Sequence, residues 1–369
     1  MAQVDLGLRA KYLEPSFISS APRFALPLVI GIALAFLGQL FLVDAIGPYY
    51  AKICVDIGIN VILAVSLNLV NGFTGQFSIG HAGFMAVGGY TAGFITYYIS
   101  FRTWGSADIH GGFLGAGDML YLGALLVGGL VAAGVGFVVG LPSLRLRGDY
   151  LAIVTLGFGE ILRVLLQRTN DVLFDAKEIA GRSLPSLIQN IGGALGFTGL
   201  PYYTTFFYVW TFVTLTLVVS YRLKESTYGR AFLSIRENEI AAEAMGINTT
   251  KYKVRAFVLS SFFAGIAGGL FAHEVGTSLN PRELGFQKSF DIVIMVVLGG
   301  MGSVSGAALA AIILTILPEL LREFAQYRMI LYALALILVM ILRPQGIMGV
   351  RELWETPWWR RQLAKVRKR

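Results

Sequence analysis

The sequence predicts an all-α protein, a polytopic transmembrane helix bundle with two glycine-broken segments and a short capped helix on the cytoplasmic side. Three observations carry this. Of 369 residues, 56% are hydrophobic and only 14% charged, against about 25% charged in a soluble domain. Apolar runs recur along the chain, each long enough to cross about 30 Å of hydrocarbon as a helix of about twenty residues. The basic residues gather in a few connections between those runs, as they do on the cytoplasmic side of membrane proteins. The short alternating segments of a transmembrane barrel are not seen.

Taken in order, the candidate spans are 24–43, 51–70, 82–100, 119–141, 150–168, 203–222, 256–276, 291–320 and 329–342. The segment 1–23 ahead of them carries Asp5, Arg9, Lys11 and Glu14. It is too polar for a signal-peptide core and no A-x-A site follows, so the first apolar run is expected to be retained. Cys54 is the single cysteine, which rules out an internal disulfide and offers no metal framework. The net charge of +8 reads as topology rather than nucleic-acid binding. Membrane lipid is the expected surrounding.

Parity tests the list. Segment 222–255 carries Arg222, Lys224, Arg230, Arg236, Lys251, Lys253 and Arg255; the turn 142–149 carries Arg145 and Arg147; and the tail ends RRQLAKVRKR. All are expected inside. Starting inside, the spans satisfy this only if 291–320 is a broken hairpin around GGMGSVSG at 299–306, with 169–202 outside. The chain then divides into a cytoplasmic segment 1–23, a membrane domain 24–342 with its long loop at 223–255, and a basic cytoplasmic tail 343–369.

Small residues recur every fourth position: Gly128, Ala132, Gly136 and Gly140; Gly89 and Gly93; Gly265 and Gly269. Such stripes let helix backbones approach closely in lipid, so a tight bundle and a helix-on-helix subunit contact are expected. Glu160 and Arg163, three apart on one helix, are expected to pair. His273, Glu274 and Asp291 fall near the outer ends of their spans, where interfacial water is expected to reach them; Asp56 is deeper.

The first interruption, NLVNGFTGQFSIGHAGFMAVGG at 68–89, mixes glycines with small polar groups between apolar spans. Open backbone at membrane depth leaves N–H and C=O groups unpaired, at several kcal/mol each in hydrocarbon, unless protein buries them or water reaches them. Paired glycine breaks in the two halves point to a translocation path. Its candidate residues are Asn68, Asn71, Thr74, Gln76, Ser78, His81, Ser303 and Ser305. A plainer reading stands beside this one: 71–81 as a cytoplasmic hairpin turn. His81 is read either as a solute contact or proton relay, or as a hydrogen-bonded packing group.

The loop 223–255 contains NEIAAEAMG, a short helix with marked ends. Asn238 suits the N-cap, Glu239 the positive N-terminal dipole and Gly246 the position after the last turn. Asn248-Thr249 then caps the next helix. Ile240, Ala241, Ala244 and Met245 share one small, apolar face. That is the form of a knob for a docking protein; an amphipathic loop lying on lipid headgroups is the alternative. The chain has no G-x-x-x-x-G-K-[ST] phosphate loop. It is expected to bind no cofactor itself, so any ATP and Mg would sit on partner chains.

These residues resemble the M-type permease subunit of bacterial branched-chain amino-acid ABC importers, over roughly 50–350. The matching stretches, in order, are NLVNGFTGQFSIGHAGFMAVGGYTA, LRLRGDYLAIVTLGFGEILR, YGRAFLSIRENEIAAEAMGINTTKYKVRAF, VVLGGMGSVSGAALAA and RPQGIMG. The resemblance implies a non-catalytic subunit of the bacterial inner membrane working by alternating access. It implies as partners a second homologous permease, two ATP-binding cassette subunits beneath and a periplasmic solute-binding protein. It makes Arg236, Glu239, Ala241, Glu243, Ala244, Met245 and Gly246 the ATPase-coupling candidates, although EIAAEAMG matches E-A-A-x-x-x-G only in part. The family's T-G-G-x-x-G stretch is replaced by EIAGRSLPSLIQNIGGALGFTGLP, which opens the substrate to urea, short amides or other amino acids. A self-sufficient proton-driven carrier using Asp56 or His81 is the rival reading. A membrane enzyme finds no clustered nucleophile, base or metal set.

Overall fold

The computed structural model describes residues 17–144, 150–274, 278–324 and parts of 327–355. Arg145 and Arg147, segment 1–16 and the basic run 360–369 lie outside the described residues, and the span expected at 329–342 is described only in part. The described chain is helical, with one isolated bridge between Phe197 and Leu279.

Helix α1 (Phe17–Leu37) runs through a π turn into α2 (Val43–Asn68). The two expected spans are divided by a kink rather than a loop. Pro48 cannot donate a helical hydrogen bond and disfavours helix in the residue before it, and Gly47 takes φ 80°. Then follow α3 (His81–Trp104), α4 (Ala116–Ser143) and α5 (Tyr150–Gln167). The next connection holds the short helices α6 (Ala176–Gly181) and α7 (Leu184–Leu187). After α8 (Phe206–Glu225) the basic loop forms α9 (Thr227–Glu237) and α10 (Glu239–Ala244). Last come α11 (Thr249–Ala272), α12 (Phe286–Gly299) and α13 (Val304–Leu320). Five stretches among the described residues are long and apolar enough to cross a membrane: Ala25–Phe73, Ala116–Ser143, Tyr150–Gln167, Phe206–Glu225 and Thr249–Ala272. The expected hairpin in 291–320 is present, α12 and α13 flanking a break at 300–303.

Helix ends sort into two groups, as the parity count requires. At the basic end, Arg236 reaches Gly72, Lys224 reaches Gly302, and Ile347 N–H donates to Leu298 O. At the opposite end, Tyr97 donates to Leu173 O, Tyr98 to Asn190 O, and Thr204 N–H to His273 O.

Helices α3, α4 and α11 pack on one another, and the glycine stripes are why. A Cβ on Gly88 would fall on the backbone of Gly265, one on Gly268 on the carbonyl of Met85, and one on Gly136 on Ser261. The stripes are buried inside this chain, so they do not form the subunit contact expected of them. A second group joins α2 to α8, α12 and α13.

Candidate functional site, a joint between the two glycine breaks

Helix α2 ends in a buried π turn, Leu69–Phe73. The chain then turns at Gly75, φ 67°, and runs back along the helix it has just left. Asn71 spans the gap with both ends of its amide: its Oδ1 accepts the Ser78 N–H at 3.1 Å and its Nδ2 donates to Ser78 O at 3.3 Å. Further along, His81 Nε2 lies 2.9 Å from Ser66 Oγ. Thr74 donates to Val70 O at 2.8 Å, and the Gln76 N–H donates to the same carbonyl at 3.2 Å. Segment 75–80 therefore returns along α2 with the N–H groups of Gln76, Ser78 and Ile79 met by Val70 O, Asn71 Oδ1 and Thr155 Oγ1, while Gly75 and Phe77 are exposed.

The second break uses the same chemistry. Gly300 and Gly302 take φ 107° and 97°, a conformation that favours glycine and leaves their backbone groups outside any helix. Asn68 meets them: its Oδ1 accepts the Gly302 N–H at 2.9 Å and its Nδ2 donates to Ser303 O at 3.0 Å. Asn68 is fully buried, as are Ser303 and Thr74. Ser303 caps α13 by accepting the Gly306 N–H at 3.0 Å. Two asparagines three residues apart thus each satisfy one break.

The two breaks are also tied to the basic loop. Arg236, in the last turn of α9, donates from one guanidinium nitrogen to Gly72 O at 2.9 Å and to Met301 O at 3.4 Å. Lys224, at the end of α8, donates to Gly302 O at 2.8 Å and pairs with Glu352. An open cavity of about 700 Å³ lies between the breaks, lined by Asn71, Gly75, Phe77, Arg236, Met301 and Val350 among others.

Glu352 is the residue that sequence reasoning missed. It is 1% exposed and sits over the N-terminus of α13. It accepts the N–H groups of Val304 at 3.1 Å and Ser305 at 2.9 Å, and the Ser305 hydroxyl at 2.6 Å. A carboxylate there complements the helix dipole. Burial pushes its carboxyl up, but the Lys224 ammonium and the donors on Ser305 and Val304 pull harder and hold it below the ordinary carboxylate range. No local pattern marks it, because its partners lie more than forty residues away in sequence. The usable signal was an acid just after the RPQGIMG stretch, with Glu355 three residues beyond it.

The short helix α10 has the caps its sequence implied. Asn238 Oδ1 accepts the Ala241 N–H at 3.0 Å, Asn248 Oδ1 accepts the Lys251 N–H at 3.0 Å, and Gly246 takes φ 85°. Glu239 and Glu243 fasten the helix to the foot of α11: Lys253 donates to Glu239 at 2.6 Å and Thr249 to Glu243 at 2.7 Å. Ile240, Ala241, Ala244 and Met245 are exposed. One face is anchored and the apolar face is free.

The remaining expected residues divide. Glu160 pairs with Arg163 at 2.7 Å, and its other oxygen accepts the Phe286 N–H that opens α12. His273 and Glu274 are buried rather than reaching water, because segment 197–205 folds over them through Thr204 and the Phe197–Leu279 bridge. Asp56 lies 3.7 Å from Lys52.

The fold and this joint define a polytopic membrane protein whose two glycine breaks meet beside an open cavity. The chain matches, over residues 49–342, the family described as branched-chain amino acid transport system / permease component, and it belongs to that family. It is 36% identical over 353 residues to the high-affinity branched-chain amino acid transport system permease protein LivM of Salmonella typhimurium, covering 89% of this chain and 79% of that protein. The LivM protein of Escherichia coli K12 is similar to the same extent. The LivH permease protein of Escherichia coli K12 is 25% identical over 326 residues, covering 87% of this chain and 97% of that one. No solved structure matches the chain.

Proposed function

We propose that the chain is a non-catalytic permease subunit of an ATP-driven importer, moving branched-chain or related amino acids across the bacterial inner membrane by alternating access. Its partners would be a second, homologous permease, two ATP-binding cassette subunits holding ATP and Mg, and a periplasmic solute-binding protein. The observation that carries this reading is Arg236, which bridges the backbone of both breaks from the loop bearing the knob. A push on α10 would pass through α9 to both interruptions at once. The basic end would then be cytoplasmic, and the 700 Å³ opening would be the exit side of the path.

The atypical loop 178–201, tied to the far end of α3 through Tyr98 to Asn190 O and Arg102 to Arg182 O, favours a solute range not confined to leucine, isoleucine and valine. The proton-driven rival gains nothing from the geometry: Asp56 pairs with Lys52 and His81 with Ser66.

The test is Ala244→Arg, which puts a long charged side chain on the free face of α10. The expected outcome is a variant that co-purifies with the second permease but without the ATPases, and that shows no stimulated ATP hydrolysis when binding protein is added. Retention of both ATPases with normal stimulation would remove α10 as the coupling element.

A further inference from the structure

At the end opposite the basic loop, α2 carries Lys52, Asp56 and Asn60 at spacings of four. Counted from Phe73 at about 1.5 Å per residue, Asp56 lies about 25 Å up the helix and Lys52 about 31 Å. Counted this way, Asp56 falls in the far quarter of a layer about 30 Å thick and Lys52 at its outer edge. Lys52 Nζ is 2.6 Å from Glu274 Oε1 and 3.7 Å from Asp56. From α12, Lys288 Nζ donates to Asn60 Oδ1 at 3.1 Å, and Asn60 Nδ2 donates to Thr315 Oγ1 of α13 at 3.0 Å. Lys288 is within electrostatic reach of Asp291, Asp56, Glu274 and Glu283.

Two groups in this cluster are incompletely satisfied. Glu274 is 2% exposed, and its Oε2 is buried without a well-formed hydrogen bond among the described residues, its nearest charged neighbours being the Lys52 ammonium and the like-charged Asp56 carboxylate. An unmet acceptor of this kind costs more than its met counterpart gains. Lys288 has three donors; among the described residues it donates to the Asn60 amide oxygen and makes no ion pair. Lys52 and Asp56 expose 45% and 35% of their side chains. An acid placed as Asp56 is faces a water-filled path or another polar surface rather than lipid, and Lys52 reaches the interface beside it.

We propose that this cluster is a recognition site for the charged ends of a zwitterionic α-amino acid. Lys288 receives the carboxylate and Glu274 Oε2 receives the ammonium. Lys52 holds the Glu274 carboxylate by its other oxygen, and Asn60 aims Lys288. The proposal rests on the transport reading above for its purpose and sharpens it: neutral solutes such as urea or short amides bring no charges to these groups.

The experiment uses the purified full chain in nanodiscs and measures binding of L-leucine, of 3-methylbutylamine (leucine without its carboxylate) and of 4-methylpentanoate (leucine without its ammonium), with acetamide as the neutral control. Leucine should bind at least about tenfold more tightly than either half-ligand, because each charge-assisted hydrogen bond is worth about that factor. Glu274→Gln should weaken leucine and the amine about tenfold and spare the acid, while Lys288→Met should do the reverse. A purely structural ion cluster would lower stability without this crossed pattern. Equal effects on amine and acid, equal binding of acetamide, or no leucine binding by the unmodified chain would overturn the site. If a variant fails to fold, the comparison of the four ligands on the unmodified chain decides alone. Uptake by the reconstituted complex is read separately, so binding without uptake removes the transport reading and leaves the site standing.

Discussion

Two regions of this bundle are rich in glycine, and they use it in opposite ways. In the α3–α4–α11 group the glycines lie inside continuous helices, and their missing side chains let backbone touch backbone, as at Gly88 with Gly265 and Gly268 with Met85. In the seam between α2 and the α12–α13 hairpin the glycines lie between helices. There Gly75, Gly300 and Gly302 take positive φ, and side-chain amides meet the freed backbone groups. The first arrangement has no slack, since separating the helices loses dispersion contacts that lipid does not fully replace. The second is held by directional bonds that can be exchanged for water or for another partner. Under the proposed transport reading, movement would belong in the seam, with the tight group as the frame against which it moves.

The sharpest way to break this comparison is to add one carbon to the frame. Gly268→Ala puts a Cβ on the Met85 carbonyl, so two helices must part. We expect a loss of about 3 kcal/mol or more, read as a large fall in unfolding temperature in detergent or as loss of the monodisperse species. Gly134→Ala, on the exposed side of α4 with nothing within 4 Å, should leave the unfolding temperature nearly unchanged. If the two behave alike, close packing is not what holds the frame.

The seam should respond differently. Asn68→Ala strands the Gly302 N–H and the Ser303 carbonyl in a buried break, at a cost of about 1–3 kcal/mol. The chain should still fold, while solute uptake by the assembled transporter falls far more than stability does. Normal uptake would mean that the second break is inert. Arg236→Ala should come next in order. Its bonds are partly exposed, so the stability loss should be about 1 kcal/mol or less. Stimulated ATP hydrolysis should persist while uptake drops, because the link between loop and breaks is cut rather than the ATPase contact.

How much of this was legible in the sequence follows from range. The spans were readable because length and apolarity are local, and the caps of α10 because Asn238, Gly246 and Asn248 act within a turn of themselves. The hairpin at 299–306 came from parity and glycine together. The destination of the stripes was not readable: a small-residue stripe declares a close neighbour without saying whether it is in the same chain. The burial of His273 and Glu274 depends on segment 197–205 crossing over them, and the Glu352 cap on a tail returning to a helix begun far earlier. Neither leaves any periodic trace. Even the first break was only half legible. Its polar residues suggested a solute path, while the geometry shows Asn68 and Asn71 bonded to backbone, so any contact with solute would be made by groups that also hold the joint closed.

An effect of similar small size concerns how the tail closes that joint, and it is a question of pH. Glu352 faces Lys224, the hydroxyls of Ser303 and Ser305, and the N–H groups opening α13. These partners outweigh burial and depress its folded-state value. A carboxyl with a depressed value stabilises the fold above its unfolded value, and that contribution is lost as pH falls through the depressed one. Full stability is therefore expected at neutral pH, with a decline on the acid side of the ordinary carboxylate range. Glu352→Gln removes the charge at every pH but keeps an acceptor oxygen, so its cost at pH 7 should be only about 1 kcal/mol. The decisive measurement is the difference in unfolding temperature between the unmodified chain and Glu352→Gln across pH. It should be positive at pH 7 and shrink towards zero in acid, as protonation makes the native residue neutral too. A difference that stays constant with pH would show that Glu352 acts through shape alone. The tail would then be packed against the second break without an electrostatic hold on it, and the seam would be looser at this end than its hydrogen bonds suggest.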